Sequence, residues 1–190
     1  NYRDPSHTPE APRSRGELAL KYLTGSQTPA DFLRGMAAQA QDYAGFNLLV
    51  GDRNSLWHYT NSDTKDPQNL PPGVYGLSNA TLDTPWPKVV LGKAKLRALL
   101  ETGPMCHRAL ADVVSSQRLA DQNSLSAQGL DSTMESTLSP QFIVTDTYGT
   151  RSSTTLWFDA QAQASWLEMS FNAQGVLHEV QHKEIRLDER

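Results

Sequence analysis

The spacing of apolar residues changes several times along this chain, and these changes limit the folds available to it. Apolar side chains recur at helical spacing in residues 14–40 and 87–114, and they alternate in residues 46–60 and 143–185. Turn residues such as Asn172 and Gly175 join the later alternating segments directly, without intervening helices. Because parallel strands need long crossover connections, this order predicts an α+β fold with mostly antiparallel strands, in a single domain of residues 1–190.

Capping residues and prolines predict where the helices begin. Ser14 and Glu17 have the capping-box spacing ahead of a first helix, and Thr28 with Pro29 opens a second. Pro87 is expected to open a third helix that ends at Gly103, and a fourth is expected over residues 106–114. The proline-rich residues 1–13 predict an extended lead-in, and the Ser-, Gln- and Asp-rich residues 115–140 predict a mobile loop.

The alternating segments predict two groups of strands. Short turns separate most of them, which indicates hairpins. The predicted strands are residues 46–52, 56–60, 74–77, 143–145, 152–158, 164–171 and 176–185.

Composition excludes several classes of function. With 190 residues and a formal charge of −4, the chain lacks the basic surface that generic nucleic-acid binding requires. No apolar run approaches the roughly 18 residues of a membrane-spanning helix. The one cysteine, Cys106, excludes an internal disulfide and predicts a reducing, cytoplasmic environment.

One segment matches the H-E-x-x-H pattern of zinc proteases letter for letter: His178, Glu179 and His182. The pattern requires both histidines on one face of a helix, whereas these residues fall in the last predicted strand. On a strand the two histidines would lie roughly 13 Å apart, which is too far for ligands of one ion. We therefore expect ordinary surface histidines and no metal site here.

Two other segments concentrate polar residues at the ends of predicted strands. Asn79 offers an amide that could donate to a developing oxyanion, and Arg151 could hold a carboxylate or a nucleophile's partner. A turn with an ordinary arginine ion pair is the alternative interpretation. Cys106, beside His107 near a helix start, is expected to pack as a small hydrophobic residue.

Four ordered segments of the chain resemble the transport and Golgi organization protein 2 family, also called the NRDE family after its Asn-Arg-Asp-Glu motif. Residues 14–18 and the C-terminal hairpins are similar too. The four segments are Gly45-Phe46-Asn47-Leu48-Leu49-Val50-Gly51-Asp52, Tyr75-Gly76-Leu77-Ser78-Asn79, Leu82-Asp83-Thr84-Pro85-Trp86-Pro87-Lys88 and Tyr148-Gly149-Thr150-Arg151-Ser152-Ser153-Thr154.

This resemblance implies a fold like that of N-terminal nucleophile hydrolases, a four-layer sandwich of helix, sheet, sheet and helix. It implies that Asn1 and Asn79 lie on the oxyanion side of a site and that Arg151 lies beside a nucleophilic thiol. Family members begin Met-Cys and carry the Asn-Arg-Asp-Glu motif soon afterwards. The resemblance therefore implies that roughly the first 60 family residues, with the candidate nucleophile, are not in this chain. Cys106 lies outside the matched segments and does not inherit that role.

Two functions follow from the resemblance as expectations, both for a small-molecule ligand. The first is amide-bond hydrolysis by a cysteine of the absent N-terminal segment. The second is non-catalytic binding or trafficking of haem or an acyl lipid, and a scaffold with a vestigial site is a third possibility. Apart from haem in the second case, no cofactor is expected. The candidate haem ligands are His58, Met105, Cys106 and His107.

Overall fold

The structure is a computed structural model that describes residues 1–2, 11–63, 66–126 and 133–186. The chain divides into two compact units, Asn1–Thr84 and Pro85–Arg190. Each unit contains helices and one antiparallel three-stranded sheet, so the predicted α+β class is confirmed. The assignment of residues 1–190 to a single domain stays a prediction.

The helices and strands are numbered here in chain order. The helices are α1 (Gly16–Thr24), α2 (Pro29–Ala37), α3 (Pro87–Thr102), α4 (His107–Asp112), α5 (Gln122–Ser126) and α6 (Thr133–Thr137). The strands are β1 (Asn47–Gly51), β2 (Leu56–Thr60), β3 (Gln68–Leu70), β4 (Ser152–Phe158), β5 (Gln163–Phe171) and β6 (Leu177–Arg186).

The first unit packs α1 and α2 with the sheet β1-β2-β3 around an apolar core. Helix α2 begins as predicted, because the Thr28 hydroxyl accepts a hydrogen bond from the Asp31 backbone N–H at 3.2 Å. The core residues share near-complete burial and come from both helices, from the segment before β1 and from the strands. They are Leu18, Phe32, Leu33, Met36, Tyr43, Phe46, Val50 and Tyr59.

The predicted capping box at α1 is wrong. The Glu17 carboxylate does not cap the helix; it lies 2.7 Å from the Arg13 guanidinium and 3.0 Å from Lys21 Nζ, and it accepts a hydrogen bond from the Tyr43 hydroxyl. These hydrogen bonds, led by that from Tyr43, lower the pKa of Glu17 to about 2. Two cations and a phenol thus compete successfully with the helix N-terminus for this side chain.

The first hairpin forms as predicted, with Val50 opposite Trp57 and Gly51 opposite Leu56. The strand predicted at residues 74–77 is wrong, since β3 lies earlier, at Gln68–Leu70, and pairs with β2. The reason is that both backbone polar groups of Gly76 are already bonded to Asp83. The Gly76 N–H donates to Asp83 Oδ1 at 2.7 Å, and the Gly76 carbonyl accepts from the Asp83 N–H at 2.8 Å. A strand partner would have to break both bonds.

The second unit contains the sheet β4-β5-β6 and helices α3 to α6. Its three long strands, the opening of α3 at Pro87 and the position of α4 are confirmed. The short strand predicted at residues 143–145 is wrong, because only one isolated bridge forms there, between Val144 and Gly149. The backbone of Ile143 is instead hydrogen bonded to Thr150, whose N–H donates to the Ile143 carbonyl at 2.8 Å.

Two predicted irregular segments lie partly outside the described residues. Of the extended lead-in at residues 1–13, residues 3–10 are outside them, and of residues 115–140, residues 127–132 are outside them. The described part of the second segment contains α5 and α6, with Leu125 only 1% exposed. The mobility of residues 115–140 stays a prediction. Among the helices of the described ranges, none combines the length and the hydropathy needed to cross a bilayer.

Candidate functional site

Asn79 lies in a tightly closed loop of the first unit, residues 76–84, which we call the Asn79 loop. Asp83 closes it from a left-handed backbone conformation, with φ of 61°, through its two hydrogen bonds to Gly76. Thr84 adds a second closure, since its hydroxyl donates to the Thr81 carbonyl at 2.9 Å. A short polar side chain such as aspartate tolerates this backbone conformation better than most residues do.

Two part-buried hydrogen bonds connect the Asn79 loop to the first hairpin through Asn47. Asn47 on β1 donates its amide N–H to the Ala80 carbonyl at 2.8 Å, and its Oδ1 lies 3.3 Å from Nε2 of His58 on β2. The His58 ring is 5% exposed, and this burial lowers the pKa of His58. When the neutral His58 ring carries its proton on Nε2, it donates a hydrogen bond to Asn47 Oδ1. The N–H of the Asn47 amide is then directed toward the Asn79 loop.

The structure brings together two of the three predicted site residues, Asn1 and Asn79. The Asn79 side chain is exposed, and its Nδ2 donates to the Asn1 backbone carbonyl at 2.9 Å. The next residue, Tyr2, donates its backbone N–H to the Gly45 carbonyl at 3.0 Å, and Arg15 Nη1 donates to that same carbonyl at 2.9 Å. Asn79 therefore presents its amide to a peptide carbonyl that is itself held in a defined place.

The backbone at Gly45 leaves little room for a side chain. A Cβ atom at Gly45 would lie 3.2 Å from Tyr2 Cβ and 3.1 Å from the Ser62 hydroxyl oxygen, which is tighter than ordinary contact. A Cβ atom there would require Tyr2 and the Ser62 side chain to shift by a few tenths of an ångström. Gly45 is therefore part of what places the Asn1 carbonyl.

The third predicted site residue, Arg151, belongs to the second unit. It is exposed, it precedes β4 directly, and its backbone carbonyl accepts from the Phe171 N–H at 2.8 Å. The predicted role of Arg151 beside a thiol stays a prediction.

The second unit also contains a polar cluster that the sequence reasoning missed. We call it the His107 cluster: His107, Thr155, Ser165, His182 and Glu184. The Ser165 hydroxyl lies 2.9 Å from His107 Nε2 and 3.3 Å from His182 Nε2, and it donates to Glu184 Oε1 at 2.6 Å. His182 Nε2 and Glu184 Oε1 are 2.9 Å apart. Burial, followed by the nearby His182, lowers the pKa of His107, whereas Glu184 acts in the opposite direction.

Cross-strand pairing brings the cluster together, and it depends on an irregularity of β5–β6 pairing that the sequence pattern does not reveal. Residues that face one another in an antiparallel sheet share one side of it, and β5 places Ser165 opposite Glu184 and Leu167 opposite His182. The register shift at Ser170/Phe171 decides this pairing, because counting from Phe171 opposite Leu177 without it would place Ser165 opposite Lys183. The H-E-x-x-H pattern relates residues along one strand only, so it pairs His182 with His178 instead.

The candidate haem ligands are divided between the two units. His58 lies in the first unit with Nε2 bonded to Asn47, whereas Met105 and Cys106 are exposed residues of the second unit. Both ring nitrogens of His107 are hydrogen bonded, Nδ1 to Thr155 and Nε2 to Ser165. Haem binding through these residues stays a prediction.

A small cavity of about 190 Å³ lies within the second unit, between the start of α3 and residues 116–141. Its lining includes Lys88, Arg118 and Gln141. Within the described ranges Gln141 Oε1 is buried without a hydrogen-bond partner. Pockets for drug-sized ligands usually enclose about 300–1,000 Å³, so this cavity is smaller than such a pocket.

The class of protein that these features define is an α+β protein with two antiparallel three-stranded sheets and an asparagine-bearing loop closed by aspartate. A sequence model of the family described as Transport and Golgi organisation 2 matches residues 1–173. The chain belongs to this family.

Mammalian relatives support the assignment. The chain is 32% identical over 186 residues to Transport and Golgi organization protein 2 homolog of Bos taurus, across 90% of this chain and 66% of the relative. It is 31% identical to the Mus musculus homolog, with the same coverage. It is 30% identical over 194 residues to the Homo sapiens homolog, across 94% of this chain and 69% of the relative. The chain thus spans about two thirds of the length of these relatives.

Proposed function

We propose that this chain carries the oxyanion-stabilising side of an amide-hydrolysing site in a four-layer fold of the N-terminal nucleophile hydrolase type. The attacking thiol belongs to the N-terminal segment that the family resemblance implies. One observation carries the proposal: Asn79 Nδ2 donates to a peptide carbonyl oxygen at 2.9 Å. The proposed ligand is therefore a small molecule with an acyl–amide bond.

The chemistry needs a rigid donor at the oxygen where negative charge develops. The α-amino group of the N-terminal cysteine takes the proton of the thiol, the thiolate attacks the amide carbon, and the carbonyl oxygen takes the negative charge. The α-ammonium group then returns the proton to the amide nitrogen, the C–N bond breaks, and the amine leaves a thioester behind. Water then hydrolyses the thioester and releases the acid and the thiol. A donor at 2.7–3.1 Å from the developing oxyanion contributes roughly 10²- to 10³-fold in rate. Asn79 Nδ2 carries two N–H groups, and the one not bonded to the Asn1 carbonyl is proposed to be this donor.

Preorganisation of Asn79 supports the same proposal. Asp83 fixes the Asn79 loop from one end, and Asn47 fixes it at Ala80. The amide therefore does not need to reorganise when charge develops, which is the condition under which such a donor is effective. Arg151 is proposed to stabilise the thiolate, since a guanidinium stays cationic at every physiological pH.

The test uses the full-length protein and a panel of acyl-amide substrates. Asn79→Ala should lower kcat/KM by about 100-fold or more with little change in KM, because the lost hydrogen bond strengthens only in the transition state. Asn123→Ala, at an exposed asparagine of α5, is the matched control and should leave kcat/KM unchanged. Urea midpoints of both variants establish that the fold is retained.

Three results would count against the proposal. A loss of less than about threefold for Asn79→Ala would remove the oxyanion role, because a genuine donor is worth far more. Turnover that survives replacement of the N-terminal cysteine by alanine would remove the proposed mechanism. No turnover together with a saturable haem absorbance shift would favour the binding function over the enzymatic one.

A further inference from the structure

The His107 cluster lies where three strands and one helix of the second unit meet. Thr155 and Trp157 on β4, Ser165 and Leu167 on β5, and His182 and Glu184 on β6 fall opposite one another in register, so they share one face of the sheet. His107, the first residue of α4, packs on that face with its ring stacked on Trp157 at a centroid distance of 3.9 Å.

Two neighbours fix the orientation of the His107 ring. Nδ1 lies 2.6 Å from the Thr155 hydroxyl, and the Trp157 indole covers one face of the ring. The opposite ring nitrogen, Nε2, is therefore directed at Ser165, with His182 and Glu184 beside it. A hydrogen bond to the far nitrogen is the usual means by which proteins orient a metal-binding histidine.

We propose that His107, His182 and Glu184 form a binding site for a divalent transition metal ion, with zinc as the preferred ion. Their three ligand atoms all lie within 4.8 Å of one another. Ligands of a tetrahedral zinc at about 2.0–2.1 Å stand roughly 3.3 Å apart, so small rotations of the side chains suffice to bind the ion. Two imidazoles and one carboxylate are a ligand set that zinc uses in proteins.

Exposure and mobility of the side chains suit this role. The side chains of His182 and Glu184 are 47% and 59% exposed, so an ion can reach them from solvent and they can adjust to it. The less exposed His107 supplies the fixed ligand. The bound ion would connect the edge strand β6 to α4, two elements that are distant in sequence.

Ser165 does not lead to a different use of the cluster. A catalytic triad requires the histidine to contact the serine with one nitrogen and the carboxylate with the other. Here His182 faces both Ser165 and Glu184 with the same atom, Nε2, and Ser165 is 4% exposed. The serine hydroxyl is suited instead to hydrogen bond Glu184, as it does now at 2.6 Å.

Zinc titration of the metal-free full chain, followed by a chromophoric competitor, tests the proposal. We expect one equivalent of tightly bound zinc, and Co²⁺ in its place should give the visible spectrum of a tetrahedral ion. His182→Gln and Glu184→Gln should each weaken zinc binding by more than about 100-fold, since a ligand contributes more than an orienting neighbour. These two exposed positions on β6 should tolerate the changes without loss of fold.

Two further variants separate ligation from general stability. His178→Gln is the matched control, since it changes another exposed histidine of the same strand and should leave the affinity unchanged. Thr155→Val keeps the shape of a buried side chain and removes the hydroxyl that orients His107, so it should weaken binding by about 10- to 100-fold while one equivalent still binds. Less than one equivalent in the unmodified protein, or equal losses for His178→Gln and His182→Gln, would overturn the proposal.

Discussion

The closure of the Asn79 loop by Asp83 yields a prediction in which three substitutions give three different results. Asp83 contributes a carboxylate acceptor to the Gly76 N–H at 2.7 Å, and it holds a backbone φ of 61°. Asp83→Asn keeps an acceptor and the tolerance for this φ. Asp83→Gly keeps only the tolerance, and Asp83→Ala keeps neither.

The expected losses follow from these two contributions. A hydrogen bond to a charged group stabilises by about 1.5–3 kcal/mol, and a neutral acceptor retains about half of this, so Asp83→Asn should cost about 1 kcal/mol. Asp83→Gly should cost about 1.5–3 kcal/mol, which is the value of the lost hydrogen bond to the Gly76 N–H. Its two backbone effects roughly cancel, because glycine adopts a positive φ without strain but has a greater conformational entropy in the unfolded state. Asp83→Ala should cost about 1 kcal/mol more than Asp83→Gly, because alanine is strained at this φ.

Urea denaturation at neutral pH measures these free energies of unfolding, with constant m-values as the condition for comparison. In the full-length protein, amide turnover should fall in the same rank order, because a loosened loop no longer holds Asn79. An alanine variant as stable as the glycine variant would refute the strain argument. An asparagine variant as unstable as the glycine variant would refute the hydrogen-bond argument.

Three further predictions concern the stability of each unit. Leu33→Ala, at a side chain with no exposure, should cost about 2–5 kcal/mol in urea denaturation, whereas Leu20→Ala at 61% exposure should cost under about 1 kcal/mol. Glu17 has a folded pKa of about 2, below its ordinary value of 4.5, so its contribution to stability is full above pH 4.5 and is lost as the pH falls toward 2. In Glu17→Gln the free energy of unfolding, measured by urea denaturation, should therefore change less between pH 4.5 and pH 2. Gly175→Ala should lower the melting temperature, because Gly175 has a φ of 72° and the new Cβ of alanine would lie 2.7 Å from Val144 Cγ2.

The elements that the sequence predicted correctly depend on local physical chemistry. Thr28 and Pro29 sit directly at the start of α2, and alternating side chains define β4, β5 and β6 around short turns. In these segments the residues that decide the structure are neighbours in sequence. The α+β class follows from the order of such elements, which is why it could be predicted without knowledge of the tertiary structure.

The wrong predictions fall where a contact between residues several positions apart overrides the local pattern. Residues 74–77 have an apolar pattern suited to a strand, yet Asp83 takes the hydrogen bonds of Gly76. Glu17 has capping-box spacing, yet Arg13, Lys21 and Tyr43 take its carboxylate. Tyr43 reaches Glu17 from 26 residues away, so no local rule could have predicted that contact.

The candidate site could be predicted only in part for the same reason. Asn79 was singled out for its residue type near a predicted strand, but its partner, the Asn1 carbonyl, is 78 residues distant in sequence. The family resemblance implies only that both residues lie on the oxyanion side of a site. The backbone contacts of Gly45 with Tyr2 and Arg15, which hold the carbonyl in place, carry no motif that a sequence search would find.

The two histidines of the H-E-x-x-H segment show how secondary structure decides which residues can act together. In a helix, His178 and His182 would be neighbours on one face and Glu184 would point elsewhere. In β6 the side-chain period is two, so Glu184 lies next to His182 on the same face of the sheet. The third ligand of the set, His107, comes from α4, which packs on that face. The proposed ion site thus shares only His182 with the H-E-x-x-H pattern, and the strand conformation decides which other ligand atoms lie within 4.8 Å of it.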